Sequence, residues 1–169
     1  MKTQNSPYYI LGIDPGLACT GYAILLAEDK RKDPILVEGG VLNNKKKDTL
    51  EIKLCNLFTD LSKIILEHKP DVMAVENLYS HYNHPRTSII MGHARGVILL
   101  AASKEKIPVH NYSATEIKKS LLGVGRATKM QIQMVVQQRL NLTDLPEPPD
   151  LADAIAAAYC DFDRHFTRN

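Results

Sequence analysis

The sequence predicts an α/β fold: a five-stranded mixed sheet, an antiparallel meander followed by parallel strands, with helices on both faces. Three observations predict it. Three short strand-like runs joined by tight turns open the chain, helical and strand patterns then alternate to about residue 111, and helical patterns alone follow. Strands joined by short turns pair antiparallel, whereas strands separated by helices pair in parallel.

Residues 8–15 and 21–27 read as the first two strands, joined through Asp-Pro-Gly-Leu-Ala-Cys-Thr-Gly, where Pro15 and the glycines supply turn geometry. The charged stretch 28–34 is a hairpin loop, and 35–42 is the third strand. Leu50, Leu54, Leu57, Phe58, Leu61, Ile64 and Ile65 then recur at helical spacing, with Lys53, Asp60, Lys63 and Glu67 turned outward. Pro70 ends that helix, and 72–75 is a short buried strand. After a polar, aromatic loop, Thr87 or Ser88 opens a helix running to about Lys104, and 107–111 is the fifth strand. Ser113-Ala-Thr-Glu116 is a capping box, starting a helix that stops at Gly123-Val-Gly125. A further helix spans about 128–140, and the last begins near Asp150, because Pro146, Pro148 and Pro149 do not fit inside one.

At 169 residues the chain reads as a short polar lead-in, 1–7, followed by a single domain, 8–169. Its 44% apolar and 24% charged residues place it with globular rather than disordered chains. No apolar run approaches the roughly 20 residues of a membrane span, and no signal-peptide segment follows the lead-in. Cys19, Cys55 and Cys160 are odd in number and widely spaced, which fits free thiols in a reducing cytoplasm better than disulfides or a zinc site. The net charge of +2 says little, but its distribution says more. Lys104, Lys106, Lys118, Lys119, Arg126, Lys129 and Arg139 precede an acidic stretch of Asp144, Glu147, Asp150, Asp153, Asp161 and Asp163. A polyanion on one surface and metal ions on another fit that pattern, and so do two solvated helix faces.

Four carboxylates carry the chemical reading. Asp14 closes the strand Ile-Leu-Gly-Ile-Asp, and Glu76 closes Val-Met-Ala-Val-Glu. Asp150 and Asp153 are three residues apart in the first turn of an alanine-rich helix, on one face and near the positive helix terminus. The small residues Ala152, Ala154, Ala156, Ala157 and Ala158 would let this helix approach a sheet closely. Taken alone, Asp150 also reads as an N-cap, Asp153 as a surface residue, and Asp14 as part of a common Asp-Pro-Gly turn. Glu76 is harder to explain that way, since burying a charge without partners costs several kcal/mol or about that. Gathered together, such carboxylates need cations. An oxygen-only ligand set suits Mg²⁺ or Mn²⁺, and two ions about 3.5–4 Å apart hydrolyse phosphodiesters. The reading is a metal-dependent nuclease.

The stretches Ile-Leu-Gly-Ile-Asp-Pro-Gly (10–16), Thr-Gly-Tyr-Ala (20–23), Val-Glu-Asn (75–77) and Gly-His-Ala-Arg-Gly-Val (92–97) lead into three more. These are Tyr-Ser-Ala-Thr-Glu-Ile-Lys-Lys (112–119), Gly-Val-Gly-Arg-Ala-Thr-Lys (123–129) and Asp-Leu-Ala-Asp-Ala-Ile-Ala (150–156). In this order and spacing they resemble the RuvC-type Holliday junction resolvases, of the RNase H-like superfamily, across roughly residues 8–160. The resemblance implies a homodimeric endonuclease that resolves four-way DNA junctions by two symmetric nicks. It also implies Mg²⁺ at two sites per active centre, Mn²⁺ as a substitute, and no nucleotide cofactor. Asp14, Glu76, Asp150 and Asp153 fall on the family's catalytic positions, and Lys118 and Lys129 on basic positions that face DNA. A branch-migration helicase complex of the RuvA and RuvB type is the further partner it suggests. The loop 80–86 departs from the family pattern, which bears on the preferred cut sequence.

Other residues carry two readings each. Tyr79 resembles a family aromatic that stacks on a base at the crossing, and it also reads as a core ring under the loop. His81 and His84 read as surface residues, and His93 and Arg95 as packing or subunit contacts. Gly123-Val-Gly125-Arg126 lacks the Gly-Lys-Ser/Thr ending of a nucleotide loop, so it reads as a helix stop presenting Arg126 and Lys129 to a backbone. Arg86 and Lys119 complete the basic DNA-contact candidates. The helix 87–104 holds more apolar surface than one side needs, and Ile90, Ala94, Val97 and Ala101 are the expected subunit interface. An actin-like ATP-binding protein would need a second domain and phosphate turn. A non-catalytic junction binder would not need four carboxylates. A nuclease of the same superfamily acting on RNA remains open, because fold does not fix substrate.

Overall fold

The structure, a computed structural model, describes residues 7–29, 31–78 and 85–166. Tyr79, His81, His84 and nearly all of the lead-in lie outside the described residues. In chain order the elements are β1 (Tyr8–Asp14), β2 (Cys19–Ala27), β3 (Ile35–Asn43), α1 (Leu50–His68), β4 (Val72–Glu76) and α2 (Pro85–Lys104). They continue with β5 (Val109–Tyr112), α3 (Ala114–Leu122), α4 (Lys129–Arg139) and α5 (Pro149–Asp161), and a π-helical turn spans Phe162–Phe166.

The sheet has the order β3-β2-β1-β4-β5. The first three strands form the antiparallel meander, and β4 and β5 add in parallel beside β1. Alternation along each strand sorts side chains between two cores. Ile10, Ala23, Leu25, Val72, Ala74 and Tyr112 pack with residues of α3, α4 and α5. Leu11, Ile13, Ile24, Met73 and Val75 pack with α1 and α2 on the other face. The expected mixed sheet with helices on both faces is what forms.

Element ends differ from expectation for identifiable reasons. Cys19 and Thr20 join β2 because they pair with Asn43 and Leu42, drawing two turn residues into the ladder. β5 starts at Val109 rather than residue 107, since Pro108 has no N–H, although its carbonyl accepts from Met73 N at 2.9 Å. α2 begins at Pro85, where a fixed φ suits the first helical turn. The capping box at Ser113 is present, with Ser113 Oγ accepting from Glu116 N and the Glu116 carboxylate accepting from Ser113 N.

One alternative reading is removed and two expectations are corrected. Asp150 is not an N-cap: Pro148 holds that position, and Pro149 opens α5. Asp161 is not part of an acidic surface: it is fully buried against His110 and Tyr112. In α2, Ala94 and Ala101 belong to the inner core rather than to a surplus face. Ala94, Ile98, Ala101 and Ala102 follow the i, i+4, i+7, i+8 spacing of one buried stripe. The outward stripe runs instead through Ile89, His93, Gly96 and Leu100, with Ile89 62% and Leu100 54% exposed.

Candidate active site

Strand parity and register bring the first two carboxylates together. β1 and β4 are parallel neighbours with Ile13 opposite Val75, so Asp14 and Glu76 are the next residues on each. Adjacent strands lie about 4.8 Å apart, and both side chains share the face of Gly12 and Ala74, towards α5. Glycine decides how close α5 comes. A Cβ on Gly12 would run into the carbonyl oxygen of Ala154, and one on Gly21 into that of Asp150. The helix backbone therefore rests directly on β1 and β2, and its N-terminal end carries Asp150, in the first turn, and Asp153, one turn on, to the end of the sheet where Asp14 and Glu76 stand.

The electrostatics register this convergence. Burial, then the charges of Asp153, Glu76 and Asp150, push the Asp14 carboxyl up to about 8, and Lys129 offsets part of that. Burial also raises Glu76, with Asp153 adding to it and Lys118 and Lys129 opposing. Asp153 is raised by burial and by Asp150, with Lys129 and Lys118 opposing. Lys129 Nζ lies 3.8 Å from Asp153 Oδ2. Glu76, Lys118, Lys129 and Asp153 line a small cleft of about 120 Å³ floored by Ala114, Ile117, Ala127 and Ile132. The tightest triads of possible ligand atoms among the described residues lie elsewhere, so the four carboxylates form a more open cluster. An all-oxygen, self-repelling set of this kind fits hard divalent cations.

The other basic candidates separate. Lys118 and Lys129 border the carboxylates. Lys119 is exposed on another face of α3, beside Glu116, Ser120 and Arg164. Arg126 is exposed in the loop before α4. Arg86 lies on a surface groove of about 660 Å³ with Lys53, Ile89, His93 and Leu17, the last from the turn that follows Asp14.

Two neighbours of the cluster escaped the sequence reading. Arg95 reaches across from α2: it donates to the Glu76 carbonyl at 2.7 Å, to Asn77 Oδ1 at 3.3 Å and to Asn111 Oδ1. It thus ties the ends of β4 and β5 together behind Glu76. Its signal in the sequence is a lone arginine in a mainly apolar helix, which reads as packing or a subunit contact. Cys19 lies beside Asp150, and burial together with the Asp150 charge holds its thiol above the ordinary thiol range. Nothing in the sequence marked that contact.

Comparison with known proteins identifies a family. The family model described as "Crossover junction endodeoxyribonuclease RuvC" matches residues 10–161. The crossover junction endodeoxyribonuclease RuvC of Rhodopirellula baltica is 50% identical over 151 residues, covering 89% of this chain and 84% of that protein. The Thermus thermophilus RuvC structure superposes with a TM-score of 0.83 at 25% identity, over 94% of this chain and 95% of that one. A T. thermophilus RuvC in complex with Holliday junction substrate gives the same TM-score at 24% identity, covering 94% and 97%. The shared fold is RNase H-like. With all four carboxylates inside the matched span, the chain belongs to the RuvC family of crossover junction endodeoxyribonucleases.

Proposed function

We propose that this chain is a structure-selective endodeoxyribonuclease that resolves four-way DNA junctions by paired symmetric nicks, serving homologous recombination and DNA repair. Asp14, Glu76, Asp150 and Asp153 hold two Mg²⁺ ions per active site, with Mn²⁺ able to substitute. The observation that carries this reading is the convergence of carboxylates from β1, β4 and α5, strong enough to push Asp14 up to about 8. When bound, the ions supply Lewis-acid chemistry, activating a water and offsetting charge on the leaving 3′ oxygen.

The chain's own residues do the rest. Gly12 and Gly21 set the depth at which α5 delivers Asp150 and Asp153. Arg95 fixes the backbone of Glu76. Lys118 and Lys129 offset the cluster's charge and stand where a scissile phosphate would approach it. Arg86, Lys119 and Arg126 extend the DNA contact outward, and Tyr79 supplies a stacking ring at the crossing. Residues 8–169 act as one domain behind the lead-in 1–7. A C2 homodimer provides the two sites that symmetric incision needs. A branch-migration helicase complex of the RuvA and RuvB type delivers the junction, in the cytoplasm.

Amide substitution separates chemistry from binding. Glu76→Gln and Asp153→Asn should each lower nicking of a four-way junction in Mg²⁺ by roughly 100-fold or more, with junction affinity close to wild type. A near-wild-type rate for either variant removes that residue from the site.

A further inference from the structure

The far end of α5 holds a second cluster that the nuclease reading leaves unused. Asp161 is the last residue of α5, eight positions beyond Asp153, which is about 12 Å along a helix axis. Its carboxylate is fully buried, at 0% exposure. Oδ1 accepts from the Tyr112 hydroxyl at 2.6 Å and lies 2.5 Å from His110 Nδ1. Oδ2 is buried with no hydrogen-bond partner among the described residues. A buried carboxylate oxygen left unpaired is costly, and buried unsatisfied polar groups in native folds call for a specific cause, a bound ion among them.

The surroundings supply the rest of a ligand set. The π-helical turn that follows α5 brings His165 back so that its ring lies 4.4 Å from that of His110, centroid to centroid. One ligand atom from each of His110, Asp161 and His165 falls within 4.8 Å of the others. Asp161 and His165 are four residues apart, the spacing that puts two side chains on one helical face. His110 comes from β5, so the triad joins the C-terminal turn to the sheet. Asp161 lies inside, while His110 is half-buried and His165 exposed.

We propose that His110, Asp161 and His165 bind one divalent transition-metal ion of the zinc class, separate from the Mg²⁺ centre. Two imidazoles and a carboxylate suit Zn²⁺ or Co²⁺, whereas the all-oxygen cluster at the other end of α5 suits Mg²⁺. The ion satisfies the orphaned Asp161 oxygen and staples the final turn to β5. This site stands whether or not the junction-cleaving reading is right.

The test is Co²⁺ and Zn²⁺ titration of the full-length protein in millimolar Mg²⁺, which occupies the carboxylate centre. The expected result is one equivalent of Co²⁺ with the visible absorption of a low-coordinate histidine site, displaced by Zn²⁺. Zn²⁺ should also raise the melting temperature. His165→Gln, at an exposed position, should weaken Zn²⁺ binding by roughly 10–100-fold or more and remove the Zn²⁺-induced thermal shift, leaving nicking in Mg²⁺ unchanged. His110→Gln should do the same where it folds. Equal Zn²⁺ affinity and stoichiometry in wild type and His165→Gln, or no equivalent bound by wild type, would overturn the proposal and leave a His110–Asp161 hydrogen bond alone.

Discussion

At the scale of single residues, the pH behaviour of Asp14 tests whether its neighbours truly crowd it. Burial and its acidic neighbours push its carboxyl from the ordinary 3.8 up to about 8 in the fold. The folded state therefore favours the neutral form, and stability present below the unfolded value is lost as pH rises through the folded one. Melting of the metal-free protein should fall between about pH 4 and pH 8, and Asp14→Asn should flatten that fall and melt higher than wild type at the alkaline end. Divalent cations should stabilise wild type most where the fall is deepest. A metal-free melting curve with the same pH slope in both proteins would mean that Asp14 does not feel the cluster. Lys118→Ala and Lys129→Ala should weaken junction binding, lowering the log–log salt slope by roughly one unit for each lost phosphate contact. An unchanged slope would confine these lysines to the carboxylates beside them. Asp14 and Glu76 were legible in sequence because each ends an apolar run, where a charge is out of place. Arg95 and Cys19 were not, because their partners depend on how α2 and the β1–β2 turn fall against the sheet.

At the scale of elements, the site depends on how deeply α5 sits. The alanines of α5 announced a close approach, but the matching glycines of β1 and β2 show its depth only once register pairs them with Ala154 and Asp150. Gly12→Ala drives a methyl into helix backbone, where no flexible side chain can yield. It should cost about 1–3 kcal/mol of stability and lower nicking at saturating junction, with binding less affected. Full activity and unchanged melting in Gly12→Ala would show that α5 can ride outward without loss. All five strands were readable, though not their ends, since apolar runs and turn residues are local signals while ladder pairing is not. The faces of α2 were not: the helix is apolar nearly all round, so only packing against α1 and the sheet tells the stripe of Ala94 and Ala101 from that of Ile89 and Leu100.

For the whole molecule, the proposed paired incision calls for two sites related by a two-fold axis, and the exposed stripe of Ile89 and Leu100 on α2 is our candidate for the surface that relates them. Leu100→Glu should leave melting near wild type yet shift sedimentation to monomers that no longer couple their nicks. Ala101→Glu should instead destabilise the fold by about 3–5 kcal/mol, because it buries an unpaired charge. A Leu100→Glu protein that stays dimeric would put the interface elsewhere. Substrate choice tests the central claim most directly, since an RNase H-like sheet with four carboxylates could equally serve RNA cleavage. The decisive measurement is cleavage of end-labelled four-way DNA junction, linear duplex DNA and RNA–DNA hybrid by the same protein in Mg²⁺. The account predicts symmetric paired nicks in the junction, with duplex and hybrid left intact. Cleavage of the hybrid's RNA strand at a comparable rate, or nicking of plain duplex as fast as junction, would contradict it.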